Sequence, residues 1–206
     1  MTNSSSIFLK FLRSRRTHRV YRKNRVSQEK IKKIIEVAIS APSAHNSQPW
    51  KFFSLDSPKV RLRLVDQMIK AWKSAMEADD RQPELIVNTL DKFRRRFLLS
   101  PVLILCCVDH RPLYYDRYKD ESRKNFERIL GHHSLAAAVQ NMLMGAHALG
   151  VAACWYSAPL FCQEAVRKAL GLDSWLEPCV LLTMGYPRRP PALKKTKRLS
   201  EVFSKL

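Results

Sequence analysis

The stretch APSAHNSQPW, Ala41 to Trp50, decides how this chain is read. Its prolines, Pro42 and Pro49, fix φ and remove backbone donors, so the turn is stiff. Ser43 and Ala44 are small enough to let backbone N–H and C=O approach a flat ligand. Asn46 and Gln48 each carry a donor and an acceptor, which suits the alternating edge of a heterocycle. Trp50 anchors whatever follows in the core. The plain alternative is a structural turn whose amides bond only to backbone, and these residues alone leave both open.

Working outward, Ser27 reads as an N-cap, with Ile31, Ile34, Ile35 and Ala38 at helical spacing and Pro42 as the stop. Lys51 to Leu55 reads as a short strand closed by Asp56-Ser57-Pro58. Val60 to Met76 carries an apolar helical stripe, residues 77–83 break it as a loop, and Leu85 to Leu99 is helical again. Val102 to Val108 is a continuous apolar run, the mark of a buried strand. Cys106 and Cys107, adjacent within it, point to opposite faces. Glu121 to Leu149 is a long helix with Gly131 as a kink and Gly150 as its end. Residues 151–157 are a strand, Cys162 to Leu170 a helix closed by Gly171, and Pro178 to Gly185 a second buried strand. The Pro- and Lys-rich tail from Tyr186 cannot fold alone. The expectation is one α+β domain over 1–206, with 186–206 wrapping it.

Composition narrows the chemistry. The chain has 206 residues, 46% hydrophobic, and no run of eighteen apolar residues that would span a membrane. The N-terminal MTNSSSIFLKFLRSRR loosely resembles a transit peptide but lacks a cleavage pattern. Five cysteines without a CxxC fit free buried thiols in a reducing cytoplasm. The five glycines form neither GxGxxG nor GxxxxGK[ST], which excludes a Rossmann fingerprint and a P-loop. No HExxH or close Cys/His ligand set is legible, and the His132-His133 doublet diverges around a helix, so no metal is expected.

The net charge is +19 and sits at the ends. Residues 10–33 hold eleven Lys/Arg against Glu29, and residues 186–206 hold seven against Glu201. A nucleic acid, an anionic surface, a solvated face or a phosphorylated cofactor would each account for part of this. Within the first segment, Arg15, Arg16, Thr17 and Arg19 have the chemistry of a phosphate grip, and a solvated basic segment is the plain alternative. Guanidinium forks pair bidentately with phosphate oxygens, and the threonine hydroxyl adds a donor.

RRTHR (15–19), APSAHNSQPWKFF (41–53), the run from Asn125 to Phe161, and CVLLTMGYP (179–187) followed by KRLSEV (197–202) together resemble the nitroreductase superfamily, whose members bind FMN. The likeness covers nearly the whole chain in order and is weakest over 56–100. APSAHN and ACWYSAPLF are most similar to the branch with the nitroreductase-like domain of coenzyme F420 biosynthesis. The resemblance implies a central, mostly antiparallel sheet surrounded by helices, an extended tail and a homodimer. It implies that Arg15, Arg16 and Thr17 hold the FMN phosphate and ribityl chain, and that Arg19 reaches the pyrimidine edge. Pro42, Ser43, Ala44 and Asn46 would cover the ring from the partner subunit. Ser157 and Ala158 would offer backbone N–H near flavin N5, and Lys197 and Arg198, with Lys195 as the alternative, would return to the phosphate. Trp155 or Tyr156 would narrow a substrate pocket or simply pack in the core. The small face LAAAVQ (135–140) would pack helix on helix across a dimer or within one subunit. No side chain is expected as a nucleophile; hydride would pass from NAD(P)H through flavin N5 to a nitroaromatic, quinone or unsaturated acceptor in a ping-pong cycle. The alternatives are reduction of an F420-type precursor or another anionic metabolite and, in a different class, a basic nucleic-acid-binding module.

Overall fold

The computed structural model describes residues 3–191 and 195–205, so part of the tail lies outside the described residues. Its centre is an antiparallel sheet in the order β1-β2-β4-β3, made of β1 (Trp50–Ser54), β2 (Val102–Asp109), β3 (Ala152–Tyr156) and β4 (Leu176–Gly185). The two central strands are buried along their whole length, as the apolar runs at 102–108 and 179–182 require, and Asp109, Glu177 and Thr183 are buried with them. Each fully buried Leu, Val or Ile there contributes about 1.5–3 kcal/mol.

Helices cover both faces. On one lie α2 (Gln28–Ile39) and α5 (Glu121–Ala148), and on the other α3 (Pro58–Ala78), α4 (Pro83–Leu98) and α6 (Gln163–Leu170). The starts are chemically marked. Lys30 N–H donates to Ser27 Oγ at 3.3 Å, Arg123 N–H donates to Asp120 Oδ1 at 2.9 Å, and Pro58 and Pro83 open α3 and α4. Cys106 and Cys107 do join opposite cores. Between them the β2–β4 register slips. Cys106 pairs with Val180 and Cys107 with Pro178, leaving Cys179 as the extra residue of a bulge.

The structure departs from the sequence reading at three places among the helices, and for the small face of α5 it favours one of the two alternatives. Residues 3–14, assigned no element there, form helix α1 (Asn3–Ser14). Only 79–82 separate α3 from α4, less than the loop expected over 77–83. Gly131 does not kink α5, which is one uninterrupted helix; a Cβ there would meet Leu113 Cδ1 at 2.9 Å, so its task is close approach. The small face of α5 packs within its own chain. Leu135, Ala138 and Val139 are buried in the core shared with α2, and a Cβ added at Gly145 would meet Val37 Cβ at 3.3 Å.

Candidate cofactor site

The basic arm after α1 lies along the open edge of β3. His18 N–H donates to Ala153 O at 3.2 Å, and Thr17 forms a parallel bridge with Ala153. Tyr21 fixes the far end of the arm. Its hydroxyl lies 2.8 Å from Thr183 Oγ1 and donates to His18 O at 2.7 Å. The start of the tail joins here, with Arg22 N–H donating to Tyr186 O at 2.8 Å and Arg188 N–H to Val20 O at 3.3 Å. The start of the tail, residues 186–188, therefore lies against the basic arm.

Arg15 and Arg16 are half-buried in a cleft of about 310 Å³ shared with Ser14, His18, His147 and Pro187. Arg16 donates to the carbonyls of Arg13 and Arg15. Among the described residues, the guanidiniums of Arg15 and Arg19 have no hydrogen-bonded or ion-paired partner. Burial, the mutual influence of His147, and the Arg15 charge lower the pKa of His18; burial and then Arg15 lower that of His147. Both rings are therefore neutral near pH 7, with Ser14 Oγ 2.8 Å from His147 Nε2.

Ser157 and Ala158 follow β3 directly, Ser157 exposed and Ala158 buried. Trp155 Nε1 donates to Ser157 Oγ at 2.8 Å. They border an apolar cleft of about 470 Å³ whose other walls include Trp72, Met76, Phe93 and Phe161. Trp155 is half-buried at this cleft, whereas Tyr156 is buried edge-on against Phe97, with ring centroids 5.0 Å apart. The helical wall was not foreseen; its residues lie in 56–100, the stretch without a recognisable motif.

The opening turn lies elsewhere. Ala44 N–H donates to Ser134 Oγ of α5 at 3.1 Å, and Gln48 N–H donates to Ser43 Oγ at 3.0 Å. His45, Asn46 and Gln48 all have positive φ, at 55°, 51° and 47°. Without a glycine, each costs of the order of 1 kcal/mol, a strain held by these bonds. Pro42 and Asn46 are exposed, and Ser43 and Ala44 half-buried. The amides do not bond only to backbone, since Gln48 Nε2 donates to Asn46 Oδ1 at 3.3 Å.

Register places the two halves at opposite corners of the sheet. Trp50 is level with Val108, whereas Ala153 is level with Met184 and hence Val102. Three strand spacings separate β1 from β3, about 14 Å, and six residues of strand add about 20 Å along it. Within one chain the structure brings together Arg15, Arg16, Thr17, Arg19, Ser157 and Ala158 but not Pro42, Ser43, Ala44 and Asn46. Lys197 and Arg198 are exposed and do not line the Arg15 cleft; Arg198 Nε donates to Glu201 Oε1 at 2.8 Å within the tail's own turn.

At the turn's end of the sheet, Glu177 forms a buried hub. His110 Nε2 bonds to its Oε2 at 2.9 Å and His132 Nε2 lies 3.2 Å from its Oε1. Arg128 donates to both oxygens, at 2.5 and 3.1 Å, and Gln163 donates to Oε1 at 2.7 Å. Burial alone would raise the carboxyl pKa, but these donors hold it well below the ordinary range.

A sequence profile of the nitroreductase family matches residues 12–186. The chain belongs to the nitroreductase family. Among its relatives is a candidate NADH dehydrogenase/NAD(P)H nitroreductase of Archaeoglobus fulgidus, 27% identical over 185 residues that cover 87% of this chain and 85% of that protein. A crystal structure of a candidate nitroreductase in complex with FMN from Desulfovibrio desulfuricans is 25% identical, with a TM-score of 0.72 over 96% of this chain and 95% of that one. A BluB-like flavoprotein from Clostridium difficile 630 shares the fold at a TM-score of 0.76 and 23% identity, over 97% of this chain and 98% of that one. The nitroreductase fold thus spans α1, the arm, the sheet and the start of the tail.

Proposed function

We propose that this chain is an FMN-dependent oxidoreductase, using NAD(P)H to reduce a small acceptor, with each cofactor held between two copies of the chain. Family membership and the FMN-bound Desulfovibrio relative support the cofactor. The observation that carries the reading is the pair of guanidiniums, Arg15 and Arg19, without a hydrogen-bonded or ion-paired partner among the described residues, on the arm that bridges to Ala153 at the β3 edge.

The donor set fits the cofactor's charged end. A half-buried arginine fork beside a threonine hydroxyl and two neutral imidazoles matches a phosphate carrying about two charges. Arg15, Arg16 and Thr17 would hold the phosphate and ribityl chain, with Lys197 and Arg198 closing from the tail. Arg19 would sit at the pyrimidine edge, a fixed positive charge where electron density accumulates on reduction. Ser157 and Ala158 would present backbone N–H to the reactive edge. FMN, when bound, supplies acceptance of hydride from NAD(P)H and its delivery to the acceptor. The aromatic walls at Trp155 and Phe93 keep water from the acceptor's side.

Pro42, Ser43, Ala44 and Asn46 of a second copy would cover the ring plane, because a chain's own turn lies at the far corner of its sheet. Large apolar side chains left exposed support a paired state, among them Phe8 at 60%, Phe126 at 56% and Ile39 at 47%.

Purified protein is expected to be yellow, to release about one FMN per chain on denaturation and to bleach with NAD(P)H. Arg15→Ala and Arg19→Ala should each weaken FMN retention about 10- to 100-fold, the 1.5–3 kcal/mol of a charged hydrogen bond. Unchanged retention rejects their assignment. A colourless protein that refuses FMN and shifts on DNA with steep salt dependence favours a basic nucleic-acid-binding module instead.

A further inference from the structure

The Glu177 hub has a further neighbour, Cys179, whose buried thiol donates to the Glu177 backbone carbonyl at 3.1 Å and lies close to the carboxylate and to His132. His132, Glu177 and Cys179 each offer a ligand atom, and these atoms all lie within 4.8 Å of one another. We infer that they form a divalent-cation site with the preferences of zinc, built on His132 Nε2, the Glu177 carboxylate and Cys179 Sγ, with the fourth position left to water.

Nitrogen, oxygen and thiolate sulfur are the donors zinc takes. Bond lengths of about 2.0–2.3 Å put tetrahedral ligand atoms about 3.3–3.6 Å apart. His132 and Glu177 already stand at 3.2 Å, and the remaining separations need close by little more than about 1 Å. The β4 bulge explains why the sulfur is there. It places the extra residue, Cys179, on the α5 face with Glu177, where regular pleating from the paired Val180 would turn it away.

The surroundings resemble an outer shell. His110 Nε2 holds Glu177 Oε2 at 2.9 Å, and its Nδ1 is 2.5 Å from the Tyr115 hydroxyl. Gln163 holds the other oxygen. Such partners orient ligating carboxylates. Arg128 is the group a metal has to displace. Its side chain is 48% exposed, so it can swing from Glu177 into solvent and open the way in. Coordination breaks the Cys179 S–H bond and releases that proton to solvent; no electrons are transferred.

The site is independent of the flavin reading, and its test reads metal alone. Full-length protein stripped with chelator is titrated with Co²⁺. The expected result is one equivalent bound, with a strong near-ultraviolet sulfur-to-metal band and visible tetrahedral bands, all displaced by Zn²⁺. Cys179→Ser should abolish the near-ultraviolet band, and His132→Gln should lower affinity at least about tenfold. Arg128→Gln should raise affinity, because it removes the competing cation; a purely structural Glu177–Arg128 pair predicts no gain. His133→Gln, at the exposed neighbour, should change nothing. The inference is overturned if stripped wild-type protein takes up no Co²⁺ at micromolar concentration, or if the band persists in Cys179→Ser. Because Arg128 lies at the surface, its variant keeps the test decisive even where a core variant fails to fold.

Discussion

The two edge strands of the sheet are finished in opposite ways. At β3 the border is extended backbone: the arm bridges to Ala153, and arginine side chains project from it. At β1 the border begins with a tight turn whose geometry depends on three left-handed non-glycine residues and on Ser134. The first edge presents charge with little backbone strain. The second stores strain and presents small residues and amides. The strand register sets the two at opposite corners of the sheet. On the proposed reading, two copies supply one corner each.

The sharpest way to break this comparison is complementation. Arg15→Ala damages only the β3 corner, and Ser43→Trp only the turn corner. If sites are shared, each variant alone loses most of its flavin. Co-refolded in equal amounts, half the dimers are mixed and carry one intact site each, restoring about a quarter of wild-type flavin binding. No restoration breaks the shared-site reading.

Local substitutions give smaller effects. Gly185→Ala should destabilise by about 1–3 kcal/mol, since the added Cβ meets Pro101 Cγ at 2.8 Å and Tyr21 Cβ at 2.9 Å. Ser134→Ala removes the acceptor for Ala44 N–H and should cost about 1 kcal/mol. Urea unfolding measures both. Gly185→Ala should also loosen the arm and its flavin, whereas Ser134→Ala should act at the turn of the neighbouring copy's site.

The smallest effect is in pH. His18 and His147 have pKa values lowered from 6.5 in the folded state. The unfolded chain therefore binds more protons below pH 6.5. The resulting stability is complete above that pH and is lost progressively as pH falls toward the folded-state values. Urea midpoints between pH 7.5 and 5.5 should show the decline, and His147→Gln should flatten it. Bound FMN should flatten it too, because a phosphate beside Arg15 offsets the positive field on both rings.

Much of this architecture could be read from residue order. β2 was legible because VLILCCV has no polar position, and α2 because Ser27 and its isoleucines agree on start and face. β4 was read two residues short because Glu177 interrupts the apolar pattern; only the fold shows that its charge is met by His110, His132, Arg128 and Gln163. Helix α1 was missed because its apolar side, Ile7 and Phe8, stays largely exposed and its first residues are serines. The Arg15–Arg19 grip was visible as chemistry. Its distance from Ala41–Trp50 was not, since strand order is a long-range property. The same holds for His132 and Cys179, forty-seven positions apart in the chain. The left-handed backbone at His45, Asn46 and Gln48 left no trace either, because no glycine marks it.

The arm beside β3 also bears on how the protein survives at high concentration. A sheet with two buried, mostly apolar central strands and an open border is a template for recruiting strands from other molecules. Here that border is occupied in part by Thr17 and His18 and fringed by Arg15, Arg16, Arg19 and Arg22, whose like charges repel an approaching copy of the same edge. The basic fringe should therefore disfavour fibrillar stacking, and added salt should weaken that effect.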